Sequence, residues 1–412
     1  MKRRLLPLLL LLAATLAGAE PDEQLLGKDQ GYPVAPNLAG WYDNPYRVGS
    51  WSALDQVPGV RVSRVAASPR PRPLARMATP PPLRYRYRNI GYTLDEYLER
   101  QRATGLLILK DGQVVAERYR YGRHEDARFL SFSMAKSVTA LLVGVALDKG
   151  LIASLDDPAQ TYARELEGTA YGQTRLVHLL RMASGLSFSE RYDGRDDVSR
   201  MTRAFVVDAG GTLPVLRSVA DRHSPAGEKF VYASAETEVL GRVLRGATGR
   251  SLAELTQAWL WEPIGAEHEA FWRIGADGQE GAFAFFNASL RDWGRLGLLL
   301  ARDGELDGRA IVSRDYLLQA TDAARQPAAF RPYRATRWEG YGFQFWLSPL
   351  RARTFAMHGI HGQAVYVQPS SGVVMVLTSA WQAASGQQDP APFQERDALW
   401  RGVLQSLGGS TD

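Results

Sequence analysis

LSFSMAKSVTALLVGVALDKG, residues 130–150, sets a lysine three positions after a serine, at the mouth of an apolar run that ends at Gly150. The residues beyond Lys136 (Val138, Leu141, Leu142, Val145 and Leu147) are apolar, which predicts a central, buried helix. Positions i and i+3 share a helix face, so the Lys136 ammonium lies beside the Ser133 hydroxyl. A serine alcohol is a poor nucleophile without a neighbouring base. Lysine can be that base when burial or nearby positive groups lower its pKa; arginine cannot release its proton near neutrality. The chain strongly prefers arginine. Its lysines are Lys2, Lys28, Lys110, Lys136, Lys149 and Lys229, and only Lys136 follows a serine by three. A helix N-terminus adds N–H donors and partial positive charge that favour an oxyanion. Read alone, the pair is a weak signal that an N-capping Ser133 and an ordinary surface Lys136 explain better.

The 412 residues are 45% hydrophobic and 23% charged, an ordinary globular composition. MKRRLLPLLLLLAATLAGA at the start has the form of a secretory signal: Lys2, Arg3 and Arg4, then the apolar Leu5 to Leu12, then Ala17-Gly18-Ala19 as the cleavage pattern. The expectation is an exported, periplasmic or secreted chain beginning at Glu20, with no later run long enough to span a membrane. Removing residues 1–19 takes away three positive charges and no acid, which brings the formal net charge from +5 to +2. That balance gives no reason to expect nucleic acid as a partner. The absence of cysteine excludes disulfides, a lipoprotein attachment cysteine, thiol nucleophiles and thiolate metal sites.

Residues 20–91 form a Pro-rich N-terminal arm. ASPRPRPLARMATPPPL within it is linker material, while Trp41, Tyr42, Tyr46 and Trp51 suggest that part of the arm lies on the folded body. From residue 92 to 412 the pattern is one domain. TLDEYLERQRA is a helix with Thr93 as N-cap and Glu96 as its capping-box partner, and TGLLILKDGQVVAERYRYG is a hairpin turning at Asp111-Gly112. Residues 151 to about 285 are mostly helical, including TRLVHLLRMASGL and ASAETEVLGRVLRGATG. NASLRDWGRLGLLLARDG is an amphipathic helix starting near Asn287. YGFQFWLS, RTFAMHGI, AVYVQPSSG and VVMVLTSAW are strands, and PFQERDALWRGVLQSL is a closing helix. Strands at both ends and helices between predict an α/β (α+β) fold, with one sheet built from both termini and a helical insertion.

Two further stretches change the weight of the serine–lysine pair: FVYASAETEVLG, with Tyr232-Ala233-Ser234 before a helix, and AMHGIHGQAVYVQP, a glycine-bracketed entry to a strand. With these boxes in order, the chain resembles the serine β-lactamase and penicillin-binding-protein superfamily. Within it the chain is most similar to the class C-like branch of 6-aminohexanoate-dimer hydrolases and related esterases. The resemblance covers roughly residues 92 to 405 and includes LVHLLRMASGL and GIHGQAVYV. It implies a β-lactamase-like fold with Ser133 as acylated nucleophile, Lys136 as base and Tyr232 as proton relay. It also implies an oxyanion hole from the Ser133 and Ile360 amides, with Ser234 bonded to Lys136. Tyr192 resembles a substrate-contacting tyrosine of that branch. Asn287 is a candidate substrate contact that N-capping explains as well.

The third box departs from the pattern, with Met357 where the family has lysine, followed by His358. That argues against penicillin recognition and for uncharged or cationic linear amides and esters. The spacing of His358 and His361 suits no zinc motif, and no Gly-x-Ser-x-Gly elbow supports a Ser-His-Asp triad. His361 is expected to be structural or to line the oxyanion strand; His124, His178, His223 and His268 are scattered. The combined expectation is a serine hydrolase acting on a small amide or ester, without metal or cofactor, its oligomeric state open. The alternatives are a carboxylesterase only, or a catalytically silent penicillin-binding-like domain that binds cell-wall peptides or a partner protein, with the aromatic arm as a candidate interaction segment.

Overall fold

The computed structural model describes residues 22–412; the signal-like segment 1–19 lies outside them. The main sheet has seven strands, all antiparallel, in the spatial order Gly340–Tyr341, Trp346–Leu347, Phe355–Gly359, Gln363–Gln368, Val373–Ser379, Ala103–Lys110 and Gln113–Tyr119. Both ends of the chain therefore build one sheet, as the pattern predicts. Asp111 (φ 50°) and Gly112 (φ 85°) form a two-residue hairpin loop with both residues left-handed, the geometry that matches strand twist.

Runs such as LLIL and VVMVL are apolar at every position because both faces of the sheet are covered. Leu107, Leu109, Val365, Val367, Val374 and Val376 enter one core, and Leu106, Ile108, Ala364, Tyr366, Met375 and Leu377 enter the other. The second face is sealed by Leu399, Trp400, Val403 and Leu404 of the closing helix Ala391–Ser406. Leu94, Tyr97 and Leu98 of Leu94–Arg100 complete that seal. The latter helix carries the predicted capping box: Thr93 Oγ1 accepts from the Glu96 amide, and Glu96 Oε2 accepts from the Thr93 amide.

The first face is covered by the serine–lysine helix Met134–Asp148 and by Leu290–Ala301. The latter sits so close to the sheet that a Cβ at Gly294 would lie 2.6 Å from Leu107 Cδ2, and one at Gly297 would lie 2.5 Å from Val374 Cγ1. This helix begins later than NASLRDWG suggests. Asn287 belongs to the strand Phe286–Ala288, paired with Leu130, and the cap is Ser289, whose Oγ accepts from the Asp292 amide. The ladder places Asn287 before the turn, and the Ser289–Asp292 spacing supplies the cap.

That strand is part of a second sheet, in the order Arg61–Val65, Ala270–Ile274, Phe286–Ala288, Phe129–Leu130. The arm thus contributes a strand, and the segment 151–285 contains one as well. The Pro-rich stretch lies along the body: Ser68, Arg72 and Met77 donate backbone bonds to Ala266, Gly265 and Val114. TRLVHLLRMASGL is helical only at Leu176–Leu180, after which Met182 (φ 54°) and Gly185 (φ 75°) turn the chain.

Replacing Gly297 with alanine tests the helix seat. In an open helix alanine gains about 1 kcal/mol over glycine; here overpacking against Val374 should reverse the sign and cost about 1–3 kcal/mol. Urea unfolding reads this as a lower midpoint, and an unchanged or raised midpoint would refute the close approach.

Candidate active site

Ser133 occupies the N-cap position of Met134–Asp148 with φ −67° and ψ −7°, and its side chain makes no capping bond. Its hydroxyl is free for other partners. Lys136, one turn on, is buried (1% exposed) because residues 134–146 of this helix are buried throughout. Its Nζ donates to Ser133 Oγ at 2.9 Å and to the Phe283 carbonyl at 2.7 Å. Both acceptors are uncharged. Burial therefore dominates and pulls the Lys136 pKa down to about 8, opposed in part by the charges of Glu190 and Glu238.

Tyr232 arrives from the segment that leads into the helix Ser234–Thr248, which packs on the serine–lysine helix. Its ring centroid lies 5.2 Å from Lys136 Nζ, and Ser133 is near enough to oppose in part the upward shift of its phenol. The ring stacks on Trp346 at 5.6 Å and meets Tyr341 edge-on at 6.1 Å. Burial, with Glu190 next in effect, pushes its phenol well above the ordinary range. Ser133, Lys136 and Tyr232, 99 residues apart at the extremes, are thus brought together.

Ser234 departs from the expected geometry. Its Oγ donates to Glu190 Oε1 at 2.8 Å and its amide to Glu190 Oε2 at 2.6 Å; it does not bond Lys136. Lys136 is already engaged by Ser133 and Phe283, and the carboxylate is the stronger acceptor for a serine at a helix start. Glu190 also accepts from the Tyr192 hydroxyl at 2.7 Å. The sequence offers no local signal for Glu190, since SERYDGRDD is charged throughout. Its position depends on Asp196, which accepts from the Arg191 and Tyr192 amides (2.5 and 2.7 Å), holds Tyr192 at φ 59° and caps Asp197–Val207.

Ser133, Glu190, Tyr192, Tyr232 and Ile360 line one cavity of about 530 Å³ with Trp338, Glu339, Trp346, His358, Phe393 and Arg396. Ile360 follows the strand Phe355–Gly359, whose last residue touches the segment before Ser133: a Cβ at Gly359 would lie 2.3 Å from the Ser131 carbonyl oxygen. Among the described residues, neither the Ser133 nor the Ile360 amide is taken by a loop or side-chain acceptor. Asn287 is fully buried, bonded to the Phe285 carbonyl, and lies off the cavity lining. Met357 is buried in the core, while His358 reaches the cavity wall and bonds Glu339 at 3.0 Å.

His361 sits behind the cavity, 2% exposed, with Nδ1 2.8 Å from the Trp381 carbonyl and Nε2 bonded to the Tyr42 hydroxyl. A carbonyl only accepts, so Nδ1 carries the proton and Nε2 accepts from Tyr42. Burial depresses its pKa to about 3. His358 and His361 point to separate partners, and the described residues hold no cluster of three or more His, Asp or Glu side chains suited to a metal.

Residues 92–399 fit the Beta-lactamase family model. A 6-aminohexanoate-dimer hydrolase from Paenarthrobacter ureafaciens is 27% identical over 370 residues, covering 85% of this chain and 90% of the relative. A solved structure from Bacillus anthracis, provisionally assigned as a 6-aminohexanoate-dimer hydrolase, superposes with a TM-score of 0.79 at 22% identity. It covers 90% of this chain and 98% of its own. The hydrolase EstCE1, with promiscuous acyltransferase activity, superposes at 0.59 and 17% identity, covering 74% of this chain and 96% of its own. The family match spans most of the chain, including the serine, lysine and tyrosine boxes, and the chain belongs to the beta-lactamase family, within the serine β-lactamase and penicillin-binding-protein superfamily.

Proposed function

We propose that the protein is an exported serine hydrolase that cleaves linear amides or carboxylic esters through an acyl-enzyme on Ser133. The observation that carries this reading is the 2.9 Å hydrogen bond to Ser133 Oγ from a fully buried lysine whose partners are all neutral. A capping serine beside a surface lysine would have neither property.

The protonation states divide the roles. With its pKa near 8, Lys136 is neutral in a useful fraction around neutrality and can take the Ser133 proton. Tyr232, pushed far above its ordinary range, keeps its proton and is the donor. In acylation, Ser133 Oγ bonds to the substrate carbonyl carbon as its proton passes to Lys136. The C–N or C–O bond then breaks as the Tyr232 proton moves to the departing atom, and Lys136 reprotonates Tyr232. Water repeats the sequence on the acyl-enzyme, releasing the acid and restoring Ser133. The Ser133 and Ile360 amides are suited to the oxyanion of each tetrahedral intermediate; one such donor is worth about 2.7–4 kcal/mol.

The substrate reading follows the cavity wall. Glu190 and Glu339 line it, and so do Arg337 and Arg396. Walls of both signs extend the expectation beyond uncharged and cationic compounds to linear amides charged at both ends. A 6-aminohexanoate dimer, the compound in the name of the 27% identical relative, has an amine at one end and a carboxylate at the other. Export rests on the signal-like pattern of residues 1–19; no described helix is long and apolar enough to cross a membrane.

The first test is kcat/KM on a short-chain nitrophenyl ester and on the linear 6-aminohexanoate dimer, with Ser133→Ala as the blank. Both should turn over and the blank should not, while far-UV circular dichroism stays unchanged; ester turnover alone would restrict the reading to a carboxylesterase. Substantial residual activity in Ser133→Ala would remove Ser133 from the chemistry.

Lys136→Arg keeps the charge but cannot act as base, so kcat should fall at least about 10²-fold. Retained activity would leave the charge, not the proton transfer, as the function of Lys136. The base must be neutral, so kcat/KM should rise with pH, with a midpoint near 8, and level off above it. A profile that is flat or falls across that range contradicts the assignment.

A further inference from the structure

The residues next to the two oxyanion amides share an unusual feature. Phe132 precedes Ser133 with φ 44°, and His361 follows Ile360 with φ 60°. Neither is a glycine, so each left-handed conformation must be imposed by its surroundings. Both are held by the same piece of the N-terminal arm. The Trp51 ring lies 4.9 Å from Phe132 and 4.8 Å from His361. Tyr42 lies 6.3 Å from Phe132 and 5.1 Å from His361, and Trp41 stacks on Phe132 at 6.4 Å.

Hydrogen bonds lock this aromatic contact in one register. His361 is suspended between the Trp381 carbonyl, which accepts from Nδ1, and the Tyr42 hydroxyl, which donates to Nε2. Arg47 fixes the arm to the same carbonyl at 2.9 Å and to the Tyr42 carbonyl at 3.3 Å, with its guanidinium 5.0 Å from the Trp51 ring. The buried imidazole is neutral and the Tyr42 phenol, also buried, keeps its proton, so the donor–acceptor order stays constant around neutral pH. The arm residues involved, 41–51, precede the segment that fits the family model.

We infer that the arm completes the oxyanion hole from behind, with Tyr42 as a positioning residue that orients His361 and, through that peptide, the Ile360 amide. Trp51 and Tyr42 act on the second donor in the same way, by holding Phe132 in the conformation that presents Ser133. The inference rests on the assignment of the Ser133 and Ile360 amides made above. Among the described residues no hydrogen bond joins the arm to Ser133 or Lys136, so its effect on the site runs through Phe132 and His361.

The test uses the full chain with Tyr42→Phe, which removes one hydroxyl and keeps the ring. Its kcat on the nitrophenyl ester, per site titrated by a fluorophosphonate, should fall about 10–100-fold, as misplacement of a reacting geometry does. KM should stay within about twofold and the pH midpoint should not move. A boronic acid that forms a tetrahedral adduct at Ser133 should lose affinity by the same factor. His361→Asn, which tolerates the left-handed conformation and can still donate to Trp381, should show the same loss. The double variant should be no worse than either single one. Tyr32→Phe is the control: its hydroxyl bonds Glu23 at 2.6 Å elsewhere on the arm, and it should leave kcat unchanged. Tyr42→Phe with kcat per titrated site within twofold of the parent, or additive losses in the double variant, would overturn the inference. If the parent chain labels with fluorophosphonate but hydrolyses neither substrate, the proposed function fails and the rate of Ser133 labelling decides the role of Tyr42 on its own. If Ser133 does not label, both readings fall.

Discussion

Burial of the Lys136 ammonium among neutral groups is the constraint around which this protein is arranged. Moving a cation out of water without a counter-charge is unfavourable, and a lysine in that position answers by giving up its proton more readily. The chain imposes the position by making the helix Met134–Asp148 apolar beyond its first turn and packing it between the main sheet and the helix Ser234–Thr248. The Phe283 carbonyl and Ser133 hydroxyl accept from Nζ, and the Tyr232 ring faces it at 5.2 Å. On the surface the same residue would remain charged and could not act as a base.

Glu190 balances this arrangement. It lies close enough to hold the Lys136 and Tyr232 pKa values up, yet its oxygens are engaged by Ser234 and Tyr192 and not by the lysine. A direct ion pair would keep Lys136 protonated; a more distant carboxylate only moderates the effect of burial. The same residue fastens the loop carrying Tyr192 to the helix behind Tyr232. One carboxylate thus sets both the field and the shape of that side of the cavity.

The three parts of the molecule divide the work. The helix Met134–Asp148 carries Ser133 and Lys136, and the segment before Ser234–Thr248 carries Tyr232, the residues proposed as nucleophile, base and proton donor. The end of the strand Phe355–Gly359 brings the Ile360 amide against them, which requires the bare backbone of Gly359 beside Ser131. The arm backs both with aromatic rings, so the aromatic residues that raised the idea of an interaction module are occupied within the body.

Sequence alone determined what rests on local rules and fixed spacing. Asp-Gly defines its hairpin because only such residues accept two left-handed conformations in a row. Thr93 and Glu96 define a helix start because their side chains reach back one turn. Ser133 and Lys136 meet because three residues make nearly one helical turn. Relationships without a local rule were decided by tertiary structure. Ser234 bonds Glu190 across 44 residues, Asn287 lies in a ladder that pairs it with Leu130, and Tyr42 reaches His361 across 319 residues. In each case the partner is chosen by which segments the packed sheet and helices bring within a few ångströms, and no spacing along the chain encodes that.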